Sequence, residues 1–155
     1  MSSAHPDFAH IDADQLTDQD LLELLRATAP EASRTLNGEL LEVDSARGIA
    51  RFRFEVVPAF CHSDGKICQG GFLTGMIDIA MAHAAIAKGR FACAVPTLEL
   101  KMSFMEAVGP GTVFAEGRIL RWGGSVGFLD GDLKDASGRM IVHATCTVKI
   151  VRPKR

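Results

Sequence analysis

The sequence predicts an α+β domain: an antiparallel sheet of about six strands curled around one long apolar helix, with a shorter helix ahead of it. Three observations carry this. Residues 69–88, QGGFLTGMIDIAMAHAAIAK, are apolar on nearly every side, the mark of a buried helix rather than an amphipathic one. The segments on either side read as strands, separated by turn-forming residues. At 155 residues the chain is long enough for one substantial core and too short for two ordinary domains. A helix this apolar cannot be covered by a flat sheet on one side, so the sheet must wrap it.

In chain order, residues 1–13 are polar and without periodicity and read as a loose arm. Residues 14–28 place Leu16, Leu21, Leu22, Leu24 and Leu25 at roughly helical spacing, with Thr17 as a cap and Pro30 as a stop. This short helix is expected to lie as a lid on one end of the core. Residues 1–34 thus form an arm and short helix, and 35–155 a single domain. Strands are expected at 35–43 and 49–57 around a turn at 44–48. In the second, Ile49, Arg51, Arg53 and Glu55 alternate with Ala50, Phe52, Phe54 and Val56, so one side faces a core. Residues 58–69 are irregular and carry Cys61, His62, Ser63, Asp64 and Gly65. After the helix, Gly89 is a stop signal. Four successive antiparallel strands are expected at 94–105, 112–122, 125–134 and 139–151, joined by turns rich in Gly, Pro, Asp and Ser. This is the outline of a hotdog fold.

Composition narrows the function. A 47% hydrophobic and 23% charged chain has a globular profile, and a formal net charge of −2 argues against a nucleic-acid partner. No apolar stretch follows a basic start, and Asp78, His83 and the glycines make 69–88 a poor membrane span, so a cytoplasmic protein without a membrane partner is expected. Cys61, His62 and Cys68 lack a zinc spacing, so no metal is expected, and disulfides are not expected.

The chemistry gathers on the central helix. Asp78 is a lone carboxylate among Met76, Ile77, Ile79 and Ala80, and a buried charge without a partner is costly. Gly70 and Gly71 leave backbone N–H groups open at the positive end of the helix dipole. A donor site and a carboxylate are the parts of a hydrolytic site. They are eight residues apart, about 12 Å along the axis. One reacting carbonyl must contact both, so the halves have to come from two copies related by a two-fold axis.

The run Gln69-Gly-Gly-Phe-Leu-Thr-Gly-Met-Ile-Asp78 resembles the H-G-G-x5-D signature of hotdog-fold acyl-CoA thioesterases, in the phenylacetate-pathway and THEM-type branch. The similarity continues through the strand from Thr97 to Met105 and the turn at 109–111 to the closing hairpin, covering about residues 35–151. The resemblance implies hydrolysis of an acyl-CoA to free acid and CoA, with no cofactor beyond the CoA of the substrate and a homodimer that pairs into a dimer of dimers. It places the catalytic acid on Asp78, as base or nucleophile, the oxyanion N–H on Gly70 and a water-positioning hydroxyl on Thr97. The family asparagine falls on Ser63 or, with a one-residue shift, Asp64; the family histidine is Gln69 here. Gly71 borders the donor site, and Thr74, one turn before Asp78, is placed to tune it.

Candidates for the CoA phosphates are Arg121, Arg152, Lys101 and Lys154. Trp122 borders the nucleotide or covers a turn. Phe60, Phe72, Met76, Met81 and Phe104 either line a pocket for a small, aromatic or medium-chain acyl group or belong to the core. His83, five positions beyond Asp78, reads as a core or interface histidine, and His143 as structural. Two rivals stand beside hydrolysis: a non-hydrolytic acyl-CoA-binding protein, and a hotdog dehydratase, for which the acid–base pair is weak.

Overall fold

The computed structural model describes residues 15–152. The arm at 1–13 and Lys154 lie outside these residues. Chain order is α1 (Asp18–Ala27), α2 (Glu31–Thr35), β1 (Gly38–Asp44), β2 (Ile49–Val56), β3 (Cys61–His62), β4 (Ile67–Cys68), α3 (Gly70–Lys88), β5 (Thr97–Phe104), β6 (Gly111–Trp122), β7 (Val126–Asp135) and β8 (Met140–Lys149).

α1 begins where the sequence places a cap. Thr17 accepts from the Asp20 N–H while Asp20 accepts from the Thr17 N–H, a reciprocal capping box that satisfies two open donors. Leu21 and Leu25 are buried and join the same core as the strands. Asp18 accepts from the Ser45 N–H, and Arg26 donates to the Leu40 carbonyl at 2.9 Å, tying α1 to the β1 region. α1 stops at Ala27 with Thr28 as its C-cap, and Pro30 just beyond is the N-cap of α2, a short helical turn stapled by a 2.9 Å Arg34–Glu31 ion pair. β1 consequently starts at Gly38 rather than at residue 35.

Six strands form one antiparallel sheet in the order β1-β2-β6-β7-β8-β5. The four strands expected after the helix are present as β5–β8, and the sheet order adds what succession along the chain does not state. β6, β7 and β8 are neighbours in sequence and in space, but β5 pairs with β8 and β6 pairs with β2. β5 thereby becomes an edge strand, open on one side. The 58–69 stretch also holds more order than expected: β3 and β4 form a small hairpin whose tip, Ser63, Asp64 and Gly65, is left-handed throughout, with φ of 53°, 57° and 76°.

By length and composition alone α3 could cross a membrane. Here Leu73, Met76, Ile77, Ala80, Met81, Ala84, Ala85 and Ala87 are buried, and the sheet supplies their partners. Contact is closest at Gly117 on β6, where an added Cβ would lie 2.5 Å from the Ala80 and Met81 backbone. Backbone on one side and sheet on the other cannot yield, so Gly117→Ala should destabilise the fold by about 3 kcal/mol, read from the denaturant midpoint.

Candidate active site

Asp78 sits at mid-helix, half-buried, on the side of α3 that meets the start of the edge strand. The Thr97 hydroxyl, on the first residue of β5, lies 3.2 Å from Asp78 Oδ1 and donates to it. Burial pushes the Asp78 carboxyl above its ordinary value, and the Thr97 hydrogen bond pulls the other way. Cys146 on β8 is a further neighbour that sequence reasoning missed. Its buried thiol is pushed up to about 11, first by desolvation and then by the negative charge of Asp78, so it stays a neutral wall. The register Leu100–Cys146, set by β5 crossing to β8, brings it there.

The donor end of the site lies at the other end of β5. Phe72 and Leu73 donate to the Gln69 carbonyl, whereas the N–H groups of Gly70 and Gly71 find no acceptor among the described residues. Gly71 faces open space, and the Phe104 ring, on the last residue of β5, lies 3.1 Å from where a Gly70 Cβ would stand. A groove of about 320 Å³ runs past Gly70, lined by Cys68, Leu73, Phe104, Met105 and Val108 among others. Thus Asp78 marks the Thr97 end of the edge strand and Gly70 its Phe104 end.

The other expected site residues sit as follows within one chain. The Thr74 hydroxyl donates to the Gly70 carbonyl at 2.8 Å rather than to Asp78, the back-bond open to any mid-helix threonine. Ser63 and Asp64 are exposed at the hairpin tip; Ser63 Oγ lies 2.9 Å from His62 Nδ1, and no hydrogen bond joins either to Asp78. Gln69 is the N-cap of α3, but its side chain makes no capping bond. Arg121 is exposed on β6, and Arg152 donates to the Gly124 carbonyl, so both stand at the β6–β7 turn. Trp122 packs beside Gly89 and Gly127.

Of the expected acyl-pocket residues, Met76 and Met81 are fully buried and belong to the core between helix and sheet. Phe60 and Phe72 stack with ring centroids 4.6 Å apart, and only Phe104 borders the donor groove. The pocket at Asp78 is different. It encloses about 200 Å³ lined by Ile79, Ala82, His83 and Ile86 of α3, by Phe91, and by Leu25, Thr28 and Pro30 of the N-terminal segment. Residue type alone could not reveal that lining, since it depends on where α1 docks.

His83 is a core histidine, as its position implied: it is 5% exposed, edge-on to Phe52, with Nδ1 donating to the Ile79 carbonyl at 2.8 Å. His143 lies 2.8 Å from Asp132 on β7, outside this site. Cys61 and Cys68 face each other across the β3–β4 hairpin, and burial pushes the Cys68 thiol up to about 11, which keeps it protonated and a poor nucleophile.

Comparison with known proteins agrees with this architecture. A phenylacetic acid degradation-related protein from Ralstonia eutropha JMP134 superposes with a TM-score of 0.76 at 28% identity, covering 83% of this chain and 98% of its own. The E. coli PaaI protein of the phenylacetic acid degradation operon gives 0.75 at 16% identity over 84% and 91%, and thioesterase HI1161 of Haemophilus influenzae 0.75 at 14% over 88% and 92%; at these identities the likeness is one of fold. A Saccharolobus solfataricus protein whose name proposes an esterase is 33% identical over 90 residues, 58% of this chain and 64% of its own length. The family model of the thioesterase superfamily matches residues 65–142, from the β3–β4 tip through α3 into β8. The chain is a hotdog-fold member of the thioesterase superfamily.

Proposed function

We propose that the protein hydrolyses acyl-CoA thioesters at two composite sites of a homodimer, each built from Asp78 of one copy and the α3 start of the other. The carrying observation is Asp78: a carboxylate held in an apolar helix against its desolvation cost, hydrogen-bonded to Thr97 and open to a pocket. The edge strand supports the two-copy arrangement. Leu98, Phe104 and Met105 on or beside β5 are 59%, 52% and 56% exposed, and the strand lacks a neighbour on that side. Antiparallel pairing of β5 with its own copy sets the Thr97 end of one strand beside the Phe104 end of the other. The same operation carries Asp78 towards the partner's open glycine N–H groups, the union one chain cannot make across about 12 Å.

In this reading the Asp78 carboxylate takes a proton from water, which attacks the thioester carbon. Direct attack by Asp78, through a mixed anhydride that water then cleaves, is the alternative route. The carbonyl oxygen becomes an oxyanion that accepts from the Gly70 N–H at the helix start. Collapse breaks the C–S bond, and the Asp78 carboxylic acid returns its proton to the departing CoA thiolate. Thr97 positions the carboxylate, and Arg121 and Arg152 are the proposed cations for the CoA phosphates. A dehydratase would need a histidine–acid pair, but His62 lies on the exposed hairpin and the His83 Nδ1 proton is held by the Ile79 carbonyl.

The test is thiol release from short, medium, long and aromatic acyl-CoAs. Turnover supports hydrolysis; binding of CoA esters without release supports the non-hydrolytic reading. The site also fixes a pH signature. Asp78 must be ionised to act, so the acid limb of kcat/KM should lie above the ordinary carboxylate value of 3.8. Thr97→Val removes the bond that holds the Asp78 value down. It should move that limb further up and lower the plateau rate about tenfold, both read from one pH–rate profile.

A further inference from the structure

We propose that Leu25 and His83 form a fixed wall that sets the longest acyl group the Asp78 pocket accepts, so that α1 is the chain-length ruler of the enzyme. The inference rests on the reading of Asp78 as the site of thioester hydrolysis.

Two spaces meet at these residues. One is the Asp78 pocket of about 200 Å³. The other, of about 390 Å³, lies beneath α1 and α2, with Arg26, Ser33, Leu40 and Phe52 in its lining. Leu25 and His83 are common to both linings, so they stand between the two spaces. The second space is open enough to hold several apolar carbons, and Arg26 and Arg34 stand on its lining.

The wall is stiff. Leu25 is 3% exposed on a helix fixed by its capping box and by the Arg26–Leu40 bond. The His83 ring is held on one side by the Ile79 carbonyl and on another by Phe52, with centroids 4.8 Å apart. A stiff end wall gives a sharp limit rather than a gradual one.

Size then sets the class. An apolar cavity of about 150 Å³ holds a benzene ring. The Asp78 pocket therefore takes one ring or a short aliphatic chain, and a long chain would need the space behind the wall. Asp78 is the one acid on the lining and no lysine or arginine stands there, so the group it takes must be uncharged.

The experiment uses straight-chain acyl-CoAs from acetyl to palmitoyl for turnover, and the matching S-alkyl-CoA thioethers for affinity. Wild type, Leu25→Ala and Ala82→Leu are compared, with folding checked by near-UV circular dichroism. For wild type, kcat/KM should climb about fourfold per added buried methylene and then break. In Leu25→Ala the break should move at least about two carbons longer, raising the long-to-short ratio tenfold or more. In Ala82→Leu, which adds bulk inside the pocket, it should move shorter. An unchanged break in the folded variants overturns the proposal, and Ala82→Leu alone decides it if Leu25→Ala does not fold. If wild type cleaves no thioester, the hydrolytic reading fails by itself, and the thioether affinities still judge the wall.

Discussion

Asp78→Asn is expected to lower kcat on every accepted acyl-CoA by about 10³ while leaving the fold intact and raising the thermal midpoint at neutral pH. Both effects come from the same burial. Asparagine keeps the size and can still accept from Thr97, but it cannot take a proton from water. The stability change follows from the direction of the pKa shift. Desolvation raises the folded value of Asp78 above its ordinary 3.8, so the folded state holds that proton more tightly than the unfolded chain does. Its stabilising contribution is complete below the unfolded value and is lost as pH rises through the folded value. At neutral pH a buried carboxylate remains as a cost, and the neutral amide removes it. Thermal melts at neutral pH and thiol release on the same preparations read the two effects together. A core aspartate held only for structure would give the reverse, a lower midpoint with activity preserved.

Gly70→Pro should be the second most damaging change to turnover, about 10² in kcat with little loss of stability. Gly70 is the first helical residue, where proline is well tolerated because its N–H has no intrahelical acceptor. Gln69 before it already has φ −69° and ψ 136°, the extended conformation a following proline requires. The added ring atoms meet the far end of the Phe104 ring, 3.1 Å from a Cβ at this position, a contact that a small turn of that side chain relieves. What the substitution removes is one N–H that donates to nothing within the described residues. A large rate loss in a folded protein therefore assigns that N–H to the transition state; unchanged kcat in the folded variant removes it from the mechanism.

The central helix and its carboxylate were legible because their signal is local. An unbroken apolar face, a glycine start and one acid are visible within twenty residues, and so is the cap Thr17. The Asp78–Thr97 pair was reachable only through the family resemblance, and the structure places the two groups at hydrogen-bond distance. What periodicity could not carry was non-local. β5 alternates like any strand, and nothing in it states that its partner is β8 and not β6. Met76 and Met81 are apolar in the core just as Ile79 and Ile86 are apolar at the pocket, so residue type did not separate them. The docking of α1 decides which side of α3 is roofed, and that rests on contacts such as Arg26 to Leu40. Thr74 is a different case: its bond to the carbonyl four residues back was open to anticipation from helix geometry.

The composite site is tested most directly by mixing the two inactive variants. Asp78→Asn and Gly70→Pro chains are unfolded together, refolded as mixed dimers and assayed for thiol release, with heterodimer content measured by native mass spectrometry. In a heterodimer one site inherits both lesions and the other inherits neither. Random assortment should therefore restore roughly a quarter of wild-type activity from two nearly dead parents. Heterodimers that form in the expected proportion yet show no more activity than the parents would contradict a site shared between two copies.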